Sequence, residues 1–426
     1  MSGDSRLLRV IGRWDLTALV INAIIGAGIF GLPSKVFALV GVWSLILFVL
    51  CAALVFGVVL CFAEVGSRFQ ETGGPYLYIR SAFGPWFGFG AGWLVWLSRV
   101  SSFAALTNLL VTYLGWFAPW LESGLPRALL CFLLITILAA INIAGVRAST
   151  RVGNAFTIGK LAPLLLFAAF GLLTIEPGRF VLGPPPRLGD AAQAALLLAF
   201  AFTGFESAII PGGEMLDPKR HLPAALITAV ATVTLVYLGV QAVCIGTLAE
   251  LAHSPRPLAE SAQTFAGHWG AALIVVGASV SIVGNINTTM LAAPRVLFAM
   301  AERAQMPAAL ASVHPSFQTP HRAIAFTALV MLAATLTGGF VALVLVSTIS
   351  RLLVYVGTCA AVLALRRSDG AEAAHFRVPG GAAVPLVALV LCGALLATST
   401  WQEAAVVAAA LVLGVVPYAL FGSRHG

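Results

Sequence analysis

What most constrains this chain is a succession of apolar runs, each long enough to cross a bilayer and cut only by charges or Gly/Pro clusters. Of its 426 residues 60% are hydrophobic and 9% charged, and the mean hydropathy is +0.99. Soluble domains carry about 25% charged residues, so a water-soluble enzyme is excluded. At about 20 apolar residues per helical span, the chain has room for roughly a dozen spans. A transmembrane β-barrel would instead show short alternating segments of about ten residues.

Cutting the runs places spans at 15–40, 43–67, 85–118, 126–145, 153–175, 190–212, 223–249, 270–300, 322–340, 342–365, 382–400 and 402–421. The division at 340/342 rests on Gly338 and Gly339 alone. Grouped by five, these spans give an N-terminal segment 1–14, a first repeat 15–175, a second repeat 190–365 and a C-terminal pair 382–421. The first apolar run is full length and preceded by Asp15, unlike a cleavable signal peptide.

The net charge of +8 reflects loop bias. With a cytoplasmic N-terminus, sixteen Lys/Arg fall at cytoplasmic ends and four outside: Arg127, Arg179, Arg187 and Arg256. This is the positive-inside pattern, with both termini expected in the cytoplasm of a cell inner (plasma) membrane protein. Cys51, Cys61, Cys131, Cys244, Cys359 and Cys392 all lie inside apolar runs, away from disulfide or metal spacing. No cofactor or metal is expected, and the dispersed basic residues do not suit nucleic acid. Neither H-E-x-x-H nor Gly-x-Ser-x-Gly occurs, which argues against a membrane-embedded enzyme.

Two spans carry interruptions where the midplane should lie. The first reads Asn22-Ala-Ile-Ile-Gly-Ala-Gly-Ile-Phe-Gly-Leu-Pro33, and the sixth reads Phe200-Ala-Phe-Thr-Gly-Phe-Glu206. Close packing through small residues is one reading. The other is a pair of unwound helices at corresponding places of an inverted repeat. There free N–H groups suit a carboxylate and freed carbonyls an ammonium, the two charges of an α-amino acid.

Gly26-Ala-Gly-Ile-Phe-Gly-Leu-Pro33, Phe62-Ala-Glu-Val-Gly66, Gly73-Gly-Pro-Tyr76, Gly204-Phe-Glu206 and Gly213-Glu-Met-Leu-Asp-Pro-Lys-Arg220 together resemble the amino acid–polyamine–organocation (APC) family of permeases. The resemblance implies an all-α membrane fold of twelve helices, a five-plus-five inverted repeat with helices 1 and 6 unwound, plus two C-terminal helices. It implies secondary active amino acid transport, proton-coupled or by exchange, through alternating access. Carried over by position, Ile24, Ile25, Gly26, Ala27 and Gly28 would hold the substrate carboxylate on backbone amides. Carbonyls around Ile24, Phe200 and Thr203 would take its ammonium, with Phe202 and Gly204 completing the second break. Phe200 matches a lid aromatic that is tryptophan in the arginine/agmatine antiporter.

Four ionisable residues fall at membrane depth. Arg99, Lys160 and Arg351 would together cost about 9 kcal/mol if left unpartnered in lipid, so each needs a counter-ion, carbonyls or a wet path. Lys160 is either a structural hydrogen-bonder or, as the resemblance implies, a replacement for Na⁺ that carries the coupled proton. Glu206 is a second candidate proton carrier or an ion-pair partner. The positions of Arg99 and Arg351 resemble those of two arginines in the cystine/glutamate exchanger, which implies an acidic cargo such as glutamate or aspartate; the alternatives are a neutral cargo, with Arg99 paired to Glu206, or a cationic one. Glu64 and Glu71, near Arg68 and Arg80, read as gate or loop ion pairs. The chain is expected to act alone in the bilayer, as monomer or homodimer.

Overall fold

The computed structural model describes residues 12–26, 28–69, 74–144, 162–206, 218–368 and 374–421, and these are helical with connecting turns. The helices are α1 (Arg13–Ile24), α2 (Gly28–Val40), α3 (Ser44–Gly66), α4 (Pro75–Phe83), α5 (Pro85–Leu114), α6 (Gly124–Ala144), α7 (Ala162–Gly171), α8 (Leu188–Ala201), α9 (Pro218–Thr247), α10 (Pro257–Glu302), α11 (His321–Thr337), α12 (Phe340–Arg367), α13 (Ala383–Ala397) and α14 (Trp401–Phe421). Among the described residues, seven helical stretches are long and apolar enough to cross a bilayer, and shorter apolar helices accompany them. The chain is a multi-pass membrane protein.

Gly and Pro set the boundaries. Pro75, Pro85 and Pro257 open α4, α5 and α10, where the missing N–H has no helical partner to lose. The Gly338–Gly339 pair does end one helix and start the next. Several boundaries differ from expectation, α7 ending at Gly171 and α9 opening at Pro218 among them, and two have a plain local cause. The third span stops at Leu114, because Gly115 to Ala118 form turns before Pro119. The eighth begins at Pro257, thirteen residues before the expected 270. Its first turns are polar enough to escape a hydropathy count, yet they bury Leu258, Ala259 and Ala262 before a kink at Gly267.

Burial identifies the centre. In the most apolar window of α5, 89% of residues are buried, against 28% in α6 and 11% in α14. Helix α5 is therefore surrounded by protein, packing on α12, α10, α4 and α11, whereas α6 and α14 turn most of their surface to lipid. Helix α1 lies along α9 and α2 along α8, so the two halves of the first interrupted span have different neighbours. Exposed Trp14, Trp86, Trp120 and Trp401 sit at or just before helix starts, where amphipathic rings favour the membrane–water boundary.

Candidate functional site

Helix α1 ends at Ile24 and α2 starts at Gly28, so the first span is interrupted where its glycines cluster. The Gly26 N–H folds back onto the Ile24 carbonyl at 2.6 Å. The second interruption follows α8: Phe202, Thr203 and Gly204 form a turn, with Gly204 at φ 114°. A side chain is strained at that φ, and a Cβ on Gly204 would also run into the Ala23 carbonyl.

The two interruptions touch. A Cβ on Gly28 would lie 3.3 Å from Ala201 Cα and 3.4 Å from the Phe200 ring, and one on Gly26 would collide with the Asn285 amide of α10. At Gly204 backbone occupies the space a side chain would need, at Gly26 the Asn285 side chain does, and at Gly28 the fit is tight. Tyr237 of α9, fully buried, places its hydroxyl 3.1 Å from the Ile24 carbonyl oxygen and 3.0 Å from that of Ala201. One phenol thus ties the last carbonyls of both interrupted helices.

Of the sequence-predicted residues, Ile24, Ile25, Gly26, Gly28, Phe200, Phe202, Thr203 and Gly204 converge here. Ala27 and Lys160 lie outside the described residues, as does Glu71. The Phe200 carbonyl accepts from both the Thr203 N–H at 3.1 Å and the Thr203 hydroxyl at 2.7 Å. The Ile24 carbonyl accepts from Gly26 N–H and Tyr237. Each of these two oxygens therefore already has two donors in this state.

Glu206 lies two residues beyond Gly204 and accepts its N–H at 2.9 Å. The same carboxylate is ion-paired with Arg351 of α12 and accepts the Tyr355 hydroxyl at 3.3 Å. Of the two arginines read as possible structural partners, Arg351 forms an ion pair with Glu206, reaching it from α12, a helix that packs on α8. Arg99 is buried on α5 and lines the same cavity of about 360 Å³ as Arg351, Glu206 and Tyr355. Arg295 and the exposed Arg303 of the α10 end line it too, so the cavity runs from the second break toward solvent. Arg303 stacks over Tyr76 at 5.1 Å.

An amino acid permease family model matches residues 11–419. The chain belongs to the amino acid permease family. It is thus a member of the APC superfamily whose motifs it resembles. Among similar proteins, the serine/threonine exchanger of Bacillus subtilis is 33% identical, over 91% of this chain and 90% of its own length. The branched-chain amino acid permease of the same organism is 28% identical over 100% and 95%, respectively. The mouse (Mus musculus) large neutral amino acids transporter small subunit 2 is 29% identical over 99% and 82%.

The likeness of Arg99 and Arg351 to the arginines of the cystine/glutamate exchanger finds no support among these relatives. Sequence reasoning also missed several residues of this candidate site. Tyr237 and Gln241 were legible as polar side chains one turn apart in an apolar helix; Gln241 donates to Ser44 at 3.0 Å and to the Pro33 carbonyl at 3.4 Å. Asn285 carried a weaker signal, in Gly284-Asn-Ile-Asn287.

At the α3 end, Glu64 is fully buried and takes two bonds from Arg366, at 2.7 and 2.5 Å, and the Val378 N–H at 2.8 Å. Arg68 lies 3.8 Å away. The expected ion pair exists, with Arg366 rather than Arg80 as its main partner. It fastens the segment before α13 to the end of α3.

Proposed function

We propose that the chain is a secondary active amino acid transporter that binds the zwitterionic backbone of a neutral amino acid between its two helix interruptions. The carrying observation is their contact at Gly28 and Ala201, with Tyr237 joining both. The first-turn amides of α2, from Gly28 to Phe30, lack intrahelical acceptors and carry the positive end of the helix dipole, which suits an α-carboxylate. The α-ammonium takes the place of the Tyr237 hydroxyl at the Ile24 carbonyl, and that hydroxyl keeps its second acceptor at Ala201. The ligand thus changes how the broken helices are tied together, which supports alternating access.

A neutral cargo follows from the state of Arg351. Its charge is matched by Glu206, so an acidic side chain would have to displace a carboxylate that also holds Gly204 and Tyr355. The serine/threonine, branched-chain and large-neutral specificities in the relatives' names accord with this. One observation favours the acidic reading: four arginines and a single carboxylate, Glu206, are among the residues lining the cavity. Competition by glutamate against a neutral cargo decides between them.

The reading includes the twelve-helix five-plus-five repeat, cytoplasmic termini and residence in the cell inner (plasma) membrane. Proton coupling through Lys160 is part of it: Lys160→Ala should remove the dependence of uptake on a pH gradient. A thermal-shift screen of the purified protein against the twenty amino acids tests the whole. Stabilisation grows as RT ln(1 + [L]/Kd). Neutral amino acids should raise the melting temperature; a screen without any stabilising amino acid would contradict the proposal.

A further inference from the structure

A second cavity, of about 260 Å³, lies at the far end of α5 from the arginine-lined one. Its walls include Lys35 of α2, Asn108 and Thr112 of α5, Arg127 of α6, and Glu122 from the turn before α6. Its floor is a plug. A Cβ on Gly31 would sit 2.9 Å from both the Leu109 and the Phe340 side chains, so these three lining residues pack tightly on the side of the cavity toward the helix breaks.

The charges here are unevenly matched. Glu122 is ion-paired with Arg256, whose Nε donates to the Thr112 carbonyl at 2.6 Å. Arg127 donates to neutral oxygens, Asn108 Oδ1 at 2.8 Å and the Thr335 carbonyl at 3.4 Å. Lys35 is partly exposed and forms no hydrogen bond or ion pair with any described residue. Three cations thus face one carboxylate, and the lysine ammonium keeps its donors for a solute.

We propose that Lys35, with Arg127 beside it, is a docking subsite for the carboxylate of an amino acid, one step outside the plug on the face opposite the N-terminus. The inference rests on the transporter reading and extends it. Lys35 is four residues beyond Gly31, about 6 Å along the helix axis. It is seven beyond Gly28, about 10 Å. A carboxylate caught by Lys35 is then handed along one helix to the amides at its N-terminus when Leu109 and Phe340 part. A charge-assisted bond of this kind favours capture without contributing to the inner site.

The test is side-resolved transport of radiolabelled L-serine and L-leucine in proteoliposomes of known orientation. Lys35→Met should raise KM about tenfold for substrate on the face opposite the N-terminus, and leave KM from the other face unchanged. Lys35→Arg should restore it. A KM unchanged on both faces, or raised equally on both, would overturn the proposal. Should Lys35→Met fail to insert, Lys35→Cys serves. Its reaction with an impermeant thiol reagent applied from that face should be slowed by millimolar L-serine, and an unslowed reaction would overturn the proposal. No flux through the unaltered protein would instead remove the transporter reading itself.

Discussion

The Tyr237 hydroxyl bridges the carbonyls of Ile24 and Ala201, at 3.1 and 3.0 Å, and so joins the ends of two helices 177 residues apart in sequence. Both acceptors are buried, and the Ile24 oxygen has the Gly26 N–H as its other donor. Tyr237→Phe keeps the ring packing against Phe48 and Phe202 but removes the donor. An unsatisfied buried acceptor costs about 1–3 kcal/mol, and the melting temperature in detergent should fall accordingly. Uptake should fall with it, whereas a variant equal to the parent in both measurements would show that the bridge has no role.

The glycines at the breaks should tolerate no side chain. Gly26→Ala and Gly204→Ala each drive a Cβ into a neighbour, and Gly204 also has a positive φ, where a side chain costs about 1–2 kcal/mol by itself. Both variants should insert yet lose most transport. Gly90 of α5 has open space around its Cβ position, so Gly90→Ala should leave transport intact. It should also favour the helix by about 1 kcal/mol. Equal activity in all three variants would refute the need for close backbone approach.

Glu206→Gln tests the basis of neutral selectivity. The amide can still accept from Gly204, but Arg351, whose side chain is 12% exposed, loses its counter-ion. Breaking a buried pair from one side costs about 3–5 kcal/mol. The variant should be less stable than the parent and should gain inhibition by aspartate and glutamate, which the proposed neutral selectivity predicts to be absent in the parent. Competition assays with a labelled neutral amino acid read this directly. Strong glutamate inhibition of the parent would favour the acidic cargo.

The positions of the breaks were legible because their cause is local: Gly26, Gly28 and Gly204 are poor helix formers inside otherwise apolar runs. The turn at Gly338–Gly339 was legible for the same reason. The partners were not. Arg351 meets Glu206 across 145 residues, and Tyr237 reaches Ile24 across 213. No periodicity encodes such meetings, which arise from helix packing. The early start of α10 was hidden because its first turns are polar although buried.

Glu64→Gln should loosen the end of α3. It leaves Arg366 without its carboxylate and weakens the hold on Val378 N–H. Removing one partner of a buried pair costs about 3–5 kcal/mol, which a thermal melt would register. Substrate affinity should change little, since this pair lies away from the breaks. A large change in KM with unaltered stability would place Glu64 in the transport path instead.

The most direct measurement is counterflow of a labelled neutral amino acid into proteoliposomes preloaded with unlabelled L-serine or L-leucine, comparing the parent with Gly26→Ala. Saturable, trans-stimulated accumulation in the parent and its loss in the variant is the predicted result. Accumulation that survives a side chain at Gly26, or no accumulation in the parent with any of the twenty amino acids, would contradict binding at the paired breaks.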